Sequence, residues 1–260
     1  MKNRKIWVML VGLFTALTNG FMGTTLTFAE ENEASQTIEQ PSYISDFPNQ
    51  VGHWQDLVGT AEKKNDSAGL WIANTKQGTN LESVSINLDA REQSSGDLEL
   101  TFLYEGQSNF GLVFRGDKQK TSQWQSFAYN RDGRWQLGQP GGKWLTNIPG
   151  PTLLSGQQYK LLVRYDGKKI QTFLNDQLFY ENEEVHYPDG TSINDDWMGA
   201  VGIRLFGNLS KLNIISMKSG PVGSIPVIDS SAEYRELKEK WRNQLVSKEY
   251  DSTNQALVDY

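Results

Sequence analysis

The chain contains no cysteine and only two histidines, His53 and His186. The first absence excludes disulfide staples, thiol nucleophiles and thiolate-held zinc, and the second excludes a histidine-rich metal centre. A small exported domain would struggle without disulfides, but about 180 residues can bury roughly 70% of their unfolded surface unaided. Beyond Leu17 there is no long apolar run, so nothing later in the chain reads as a membrane span of ~20 residues. Positive charge is also short. The net charge of −6 argues against a general affinity for nucleic acid.

What is present begins with an export signature. Lys2, Arg4 and Lys5 precede the apolar run Ile6 to Leu17, and Thr27-Phe28-Ala29 supplies small residues where a signal peptidase cuts. Residues 1–29 are therefore expected to be removed. The mature chain should then begin at Glu30, secreted and without a membrane span. Residues 30–41 are acidic and polar and read as a disordered leader.

From residue 42 to 219 the chain turns to short apolar, β-branched and aromatic runs separated by Gly, Asn and Asp. Candidate strands are 69–73, 81–88, 97–104, 109–115, 124–130, 134–139, 159–165, 169–174, 177–180, 200–206 and 209–217. In 159–165 the apolar set is Tyr159, Leu161, Val163 and Tyr165, with Lys160 and Arg164 on the opposite face. Arg131-Asp132-Gly133, Asp166-Gly167 and Asn175-Asp176 carry the turn chemistry that joins such runs into hairpins. Consecutive hairpins without long helices specify an all-β, antiparallel sandwich.

Residues 220–229 (GPVGSIPVID) read as a linker. Tyr234, Leu237, Trp241 and Leu245 then recur at helical spacing, after a capping box from Ser230 to Glu233. A second capping signature, Ser252 to Gln255, predicts a second helix that the chain's last residues would barely begin. Residues 230–260 are accordingly expected to open a helical domain, truncated here. The alternative is a C-terminal helix packed back on the sandwich.

The search for chemistry finds little. Glycosidases on sandwiches need closely spaced carboxylates on one strand face, and the nearest candidate is Asp97-Leu98-Glu99. His186 lies beside Tyr187 in the acidic loop 181–197, with nothing to fix it as a base. Glu183, Glu184, Asp189, Asp195 and Asp196 of that loop are hard oxygen donors for calcium, at irregular spacing. No other cofactor is indicated.

Charge and aromatics are more informative. Residues 106–165 hold eight bases against two acids, and residues 166–200 hold eight acids against two bases. This division predicts a basic face suited to an anionic polysaccharide. Alternation sends Phe127, Tyr129, Trp135 and Leu137 to the core and Trp124 to the other face, while Trp144 follows Gly141-Gly142 at a loop edge. The candidate carbohydrate contacts are Trp124, Arg115, Arg134, Gln136 and Trp144.

The tail SSAEYRELKEKWRNQLVSKEYDSTNQALVDY, through Tyr234, Leu237, Lys238, Lys240, Trp241, Tyr250 and Asp251, resembles the opening of the α/α-toroid domain of polysaccharide lyase family 8. That family includes bacterial hyaluronate, chondroitin and xanthan lyases. The segments NFGLVFRG, YNRDGRWQLG, YKLLVRYDGKKIQTFLND and GAVGIRLFG resemble laminin-G/concanavalin-A-like (jelly-roll) sandwiches appended to such enzymes. The family's catalytic residues match nothing in residues 230–260. The resemblance implies a non-catalytic, monomeric carbohydrate-binding or spacer module of a secreted lyase, contacting an anionic glycosaminoglycan. An autonomous adhesin-like protein-binding module and a small glycoside hydrolase are the alternatives.

Overall fold

The computed structural model describes residues 42–44, 51–66, 69–74, 81–228 and 231–258, all within the unit Thr37–Tyr260. The expected signal and leader, and Ser230 of the first capping box, lie outside the described residues. Fifteen strands and one long helix follow in chain order. The strands are β1 (Ser42–Ile44), β2 (Trp54–Val58), β3 (Glu62–Asp66), β4 (Gly69–Ala73), β5 (Glu82–Asn87), β6 (Gly96–Tyr104), β7 (Asn109–Gly116) and β8 (Gln125–Tyr129). They continue with β9 (Trp135–Gln139), β10 (Lys143–Ile148), β11 (Gln157–Asp166), β12 (Lys169–Leu174), β13 (Gln177–Asn182), β14 (Ala200–Phe206) and β15 (Lys211–Gly220); α1 is Ser231–Val258.

The strands form two antiparallel sheets. Sheet I has the order β13-β12-β11-β6-β15-β4-β3, with β1 also on β15, and sheet II has the order β10-β9-β8-β7-β14-β5-β2. Alternation decides what lies between them. Phe110, Leu112 and Phe114 of β7, with Phe127 and Tyr129 of β8, meet Leu98, Leu100 and Phe102 of β6, and all are buried. Phe102 meets Phe110 edge-on at 4.8 Å, Phe114 stacks on Tyr165 at 4.7 Å, and Phe127 stacks on Trp135 at 5.6 Å.

The expected hairpins are present. In the β8–β9 turn Gly133 has φ +90° and its amide donates to the Asn130 carbonyl at 2.8 Å. Asn175 and Asp176 both take positive φ (50° and 68°) between β12 and β13, the conformation that short polar side chains tolerate best.

The segment after β15 is tied down at one point. The carboxylate of Asp97, fully buried, accepts two hydrogen bonds from Arg164 (2.7 and 2.8 Å) and one from the Ile225 amide (3.0 Å). Arg164 also donates to the Ile225 carbonyl at 2.9 Å. The stretch read as a linker is thus strapped across the outer face of sheet I. Among the described residues there is one α-helix: α1 runs through Ser252, where a second helix was expected to start, because nothing there interrupts the helical backbone. Its stripe also finds partners. Tyr234 and Trp241 are buried; the Tyr234 hydroxyl accepts from the Glu181 amide at 3.2 Å, and Trp241 meets Phe179 of β13 edge-on at 6.2 Å.

Candidate functional site

The outer face of sheet II is built on small residues. Arg204 (β14) lies opposite Gly111 (β7), Gly111 opposite Ala128 (β8), and Ala128 opposite Gln136 (β9). One pleat further, Val113, Ser126, Gly138 and Trp144 form the next row. Over this low floor lie three large groups. The Trp144 ring rests on Gly138 so closely that a Cβ there would overlap the indole. Trp124 approaches Trp144 with ring centroids 6.2 Å apart. The Arg204 guanidinium lies 4.2 Å from the Trp144 ring centre and 5.5 Å from that of Trp124, with Phe206 at 4.2 Å on its other flank.

Arg204 is the anomaly of this face. Its side chain is only 9% exposed, and its Nε donates to Glu82 at 2.5 Å. Its Nη1 is buried with no hydrogen-bond partner. Burial pushes its guanidinium below the ordinary arginine value, and the Glu82 carboxylate opposes that. On the same floor the Ser126 hydroxyl is also buried without a partner. An unsatisfied buried polar group costs about 1–3 kcal/mol, more when charged, so two on one face call for a ligand or bound water.

The sequence candidates divide sharply here. Trp144 and Gln136 are half-buried on this face and reach its surface. Trp124 lies on the face but is 2% exposed, its indole nitrogen donating to the Thr121 carbonyl at 3.1 Å. It supports the layer from within instead of offering a stacking surface. Arg134 is exposed at the β8–β9 turn, ion-paired with Asp132 and 3.2 Å from Asn147.

Arg115 is corrected outright: it is fully buried between the sheets. Its backbone turns to φ +55° where the β7–β14 register shifts, and this reverses the alternation that would have sent it outward. Its donors go to Ser94 O (2.6 Å), Gln125 Oε1 (2.8 Å), Asn194 O (3.1 Å) and Gly167 O (2.7 Å). Sequence reasoning missed Arg204 and its partner Glu82. The signal was an arginine at an outward position inside the apolar strand AVGIRLF.

The basic face is not assembled. Arg115 is interior, Arg164 is held by Asp97, Lys160 by Asp176 (2.6 Å), Lys143 by Asp189 (3.6 Å), and Lys118 by Glu92 (3.3 Å). Asp176 and Asp189 come from the acidic stretch, whereas Asp97 and Glu92 come from the chain before the basic one. The calcium candidates do not converge either. Glu183 pairs with Lys169 (2.7 Å), Glu184 with Lys168 (3.1 Å), and Asp189 accepts from Thr191. Asp195 and Asp196 join no such group. Among the described residues no three His, Asp or Glu side chains gather as a cation site.

The carboxylates once considered for hydrolysis are engaged, Asp97 with Arg164 and Glu99 with Lys218 at 3.0 Å. Both are buried. His186 is exposed, with Nδ1 2.9 Å from the Glu184 carbonyl. Burial raises the Tyr187 hydroxyl well above the ordinary tyrosine range, so it holds its proton.

No family model matches the chain. A Bacillus subtilis protein of unknown function with a galectin-like fold superposes with a TM-score of 0.51, over 70% of this chain and 97% of its own, at 12% identity. The fold is galectin-like. The carbohydrate binding module CBM66 from Bacillus subtilis aligns over 63% of this chain and 96% of its own, at 17% identity and a TM-score of 0.45. A Bacillus licheniformis beta-glucanase aligns over 71% and 99%, at 10% identity and a TM-score of 0.44. At these identities the likeness concerns the fold.

Proposed function

We propose that this chain is a secreted, non-catalytic carbohydrate-binding module, and that the outer face of sheet II holds the glycan. The observation that carries the proposal is Arg204, buried between two tryptophans with an unspent Nη1 beneath the surface-reaching Trp144. A pyranose ring presents C–H groups that stack on an indole. Trp144 provides that surface, Gln136 an amide for hydroxyls, and Arg204 a donor for a hydroxyl or a uronate carboxylate.

An anionic glycan in this reading is held by one guanidinium and not by a field of bases, since Lys118, Lys143, Lys160 and Arg164 are already paired and Arg115 is interior. Exposed pairs are worth only ~0–1 kcal/mol each, so the salt dependence should be modest. The lyase setting rests on the sequence of the tail alone. It belongs to the proposal as the kind of enzyme such a module would serve, α1 being the first helix of the lyase-type domain.

The test is affinity electrophoresis of the whole chain through gels containing hyaluronan, chondroitin sulfate or a neutral glucan. Retardation by at least one polymer, reduced in Trp144→Ala and Arg204→Met, is the expected result. Retardation by the anionic polymers alone supports the uronate reading. No retardation by any polymer overturns the function.

A further inference from the structure

A second recess lies on the other sheet, where the end of β4 meets the β6–β7 and β14–β15 connections. It encloses about 490 Å³ and is lined by Trp71, Asn74, Glu105, Gln107, Leu209 and Lys211, among others. Recesses of about 300–1,000 Å³ are the usual size for small ligands, and a single sugar ring fits well within this one.

Its chemistry is mixed in the way a neutral sugar requires. Trp71 stands on the outer face of sheet I because its strand neighbours Leu70 and Ile72 take the core positions. The Lys64 ammonium sits 4.1 Å from its ring centre, and the indole is only half-buried where it borders the recess. Asn74 is 5% exposed and fixed in place: its amide donates to the Ser210 carbonyl (2.8 Å), and its Oδ1 accepts from the Ser83 hydroxyl (2.5 Å). That leaves Nδ2, a double donor, buried with no partner. Asn213, cross-strand from Trp71, likewise carries a buried Oδ1 with no partner. At the rim Glu105 and Lys211 are ion-paired, so the recess presents no net charge from that pair. Gln107 is exposed beside them.

We infer that this recess is a second carbohydrate subsite that takes one neutral hexopyranose residue. The sugar ring lies against Trp71, and a hydroxyl accepts from Asn74 Nδ2. Lys211 is already neutralised by Glu105, and the exposed Lys64 ammonium is already engaged by the Trp71 ring, so neither is a desolvated partner for a uronate. The inference does not depend on the Trp144 face, which lies on the opposite sheet. A glycan held at both subsites would gain by effective concentration and not by any new contact.

The test is a heteronuclear NMR titration of the full chain with methyl glycosides of glucose, galactose and mannose, following the indole N–H of Trp71 and Trp144 and the side-chain amide of Asn74. The expected result is a saturable shift of Trp71 and Asn74 together for at least one glycoside, in the roughly millimolar range of single-sugar sites. The Trp71 response should vanish in Asn74→Ala and persist in Trp144→Ala. If Asn74→Ala does not fold, Trp71→Ala must abolish the Asn74 response instead. No response of Trp71 and Asn74 to any glycoside overturns the second subsite, even where Trp144 responds. A response of Trp71 with Trp144 silent leaves this inference standing, and the Trp144 face is then judged by the polymer gels.

Discussion

Arg115 and Arg204 are both buried cations, and the difference between them assigns their roles. Arg115 spends its guanidinium on four neutral acceptors from separate segments, so removing it strands three backbone carbonyls in the interior. Each such group costs about 1–3 kcal/mol, and Arg115→Met should therefore lower the unfolding free energy by roughly 3 kcal/mol or more. Arg204 has one partner, Glu82, which keeps part of its carboxylate in water, so Arg204→Met should cost under about 1 kcal/mol while reducing glycan retention. Urea titrations of the two variants check this, and equal losses of stability would contradict it. Alternation made the inward set Phe127, Tyr129, Trp135 and Leu137 legible in the sequence. It failed at Arg115 because one positive φ and a register shift reverse the side chain, and neither has a local signature. Arg204 was within reach of the same alternation, but the two tryptophans that meet it come from other strands, and no local pattern joins them.

At the scale of elements, α1 is anchored on the edge of the sandwich by Tyr234 and Trp241. Trp241 extends the row Phe127, Trp135, Phe179 at the β13 edge and closes it. Trp241→Ala should lower the stability of the whole sandwich by roughly 2–4 kcal/mol, below the 3–5 typical of a fully enclosed tryptophan. Fluorescence and far-ultraviolet dichroism in urea should then still give one shared transition. Loss of helix at an unchanged sandwich midpoint would show the helix to be a separate unit. The helical stripe was plain in the sequence, whereas its partner was not, since Phe179 looks like any strand aromatic. Four strands escaped sequence reading: β1, β2, β3 and β10. β2, β3 (EKKND) and β10 (KWLTNI) are sheet edges, where one side needs no partner, and in β3 and β10 polar residues discourage further pairing.

Across the whole molecule two collective properties stand out. The basic and acidic halves of residues 106–200 predicted a polar surface, but the fold brings carboxylates from several segments, Glu92, Asp97, Asp176 and Asp189, onto the bases, and the charges pair. Linear blocks of charge therefore overstate the dipole of a hairpin protein. The second property is buried phenol. Burial raises Tyr104, Tyr129, Tyr165, Tyr180 and Tyr187, with Tyr165 and Tyr180 pushed up to about 12. A group whose folded value lies above its unfolded value of about 10 stabilises the fold below pH 10 and loses that contribution as pH rises toward 12. Stability should thus fall between about pH 10 and 12, with buried tyrosinate absorbance appearing only together with unfolding. Smooth ionisation of all tyrosines near pH 10 in a still-folded chain would contradict this.

The central claim is that a glycan is held on the outer face of sheet II by stacking on Trp144 beside Arg204, with little help from bulk charge. The most direct measurement is calorimetric titration of wild-type protein and Trp144→Ala with the polymer that retards the wild type, at low and at high salt. Trp144→Ala is predicted to weaken binding at least about tenfold, near 1.4 kcal/mol, at both ionic strengths. The wild-type affinity should drop only slightly as salt shortens the Debye length from ~10 Å towards ~3 Å. Unchanged affinity in Trp144→Ala, or wild-type binding that vanishes at high salt, would contradict the account.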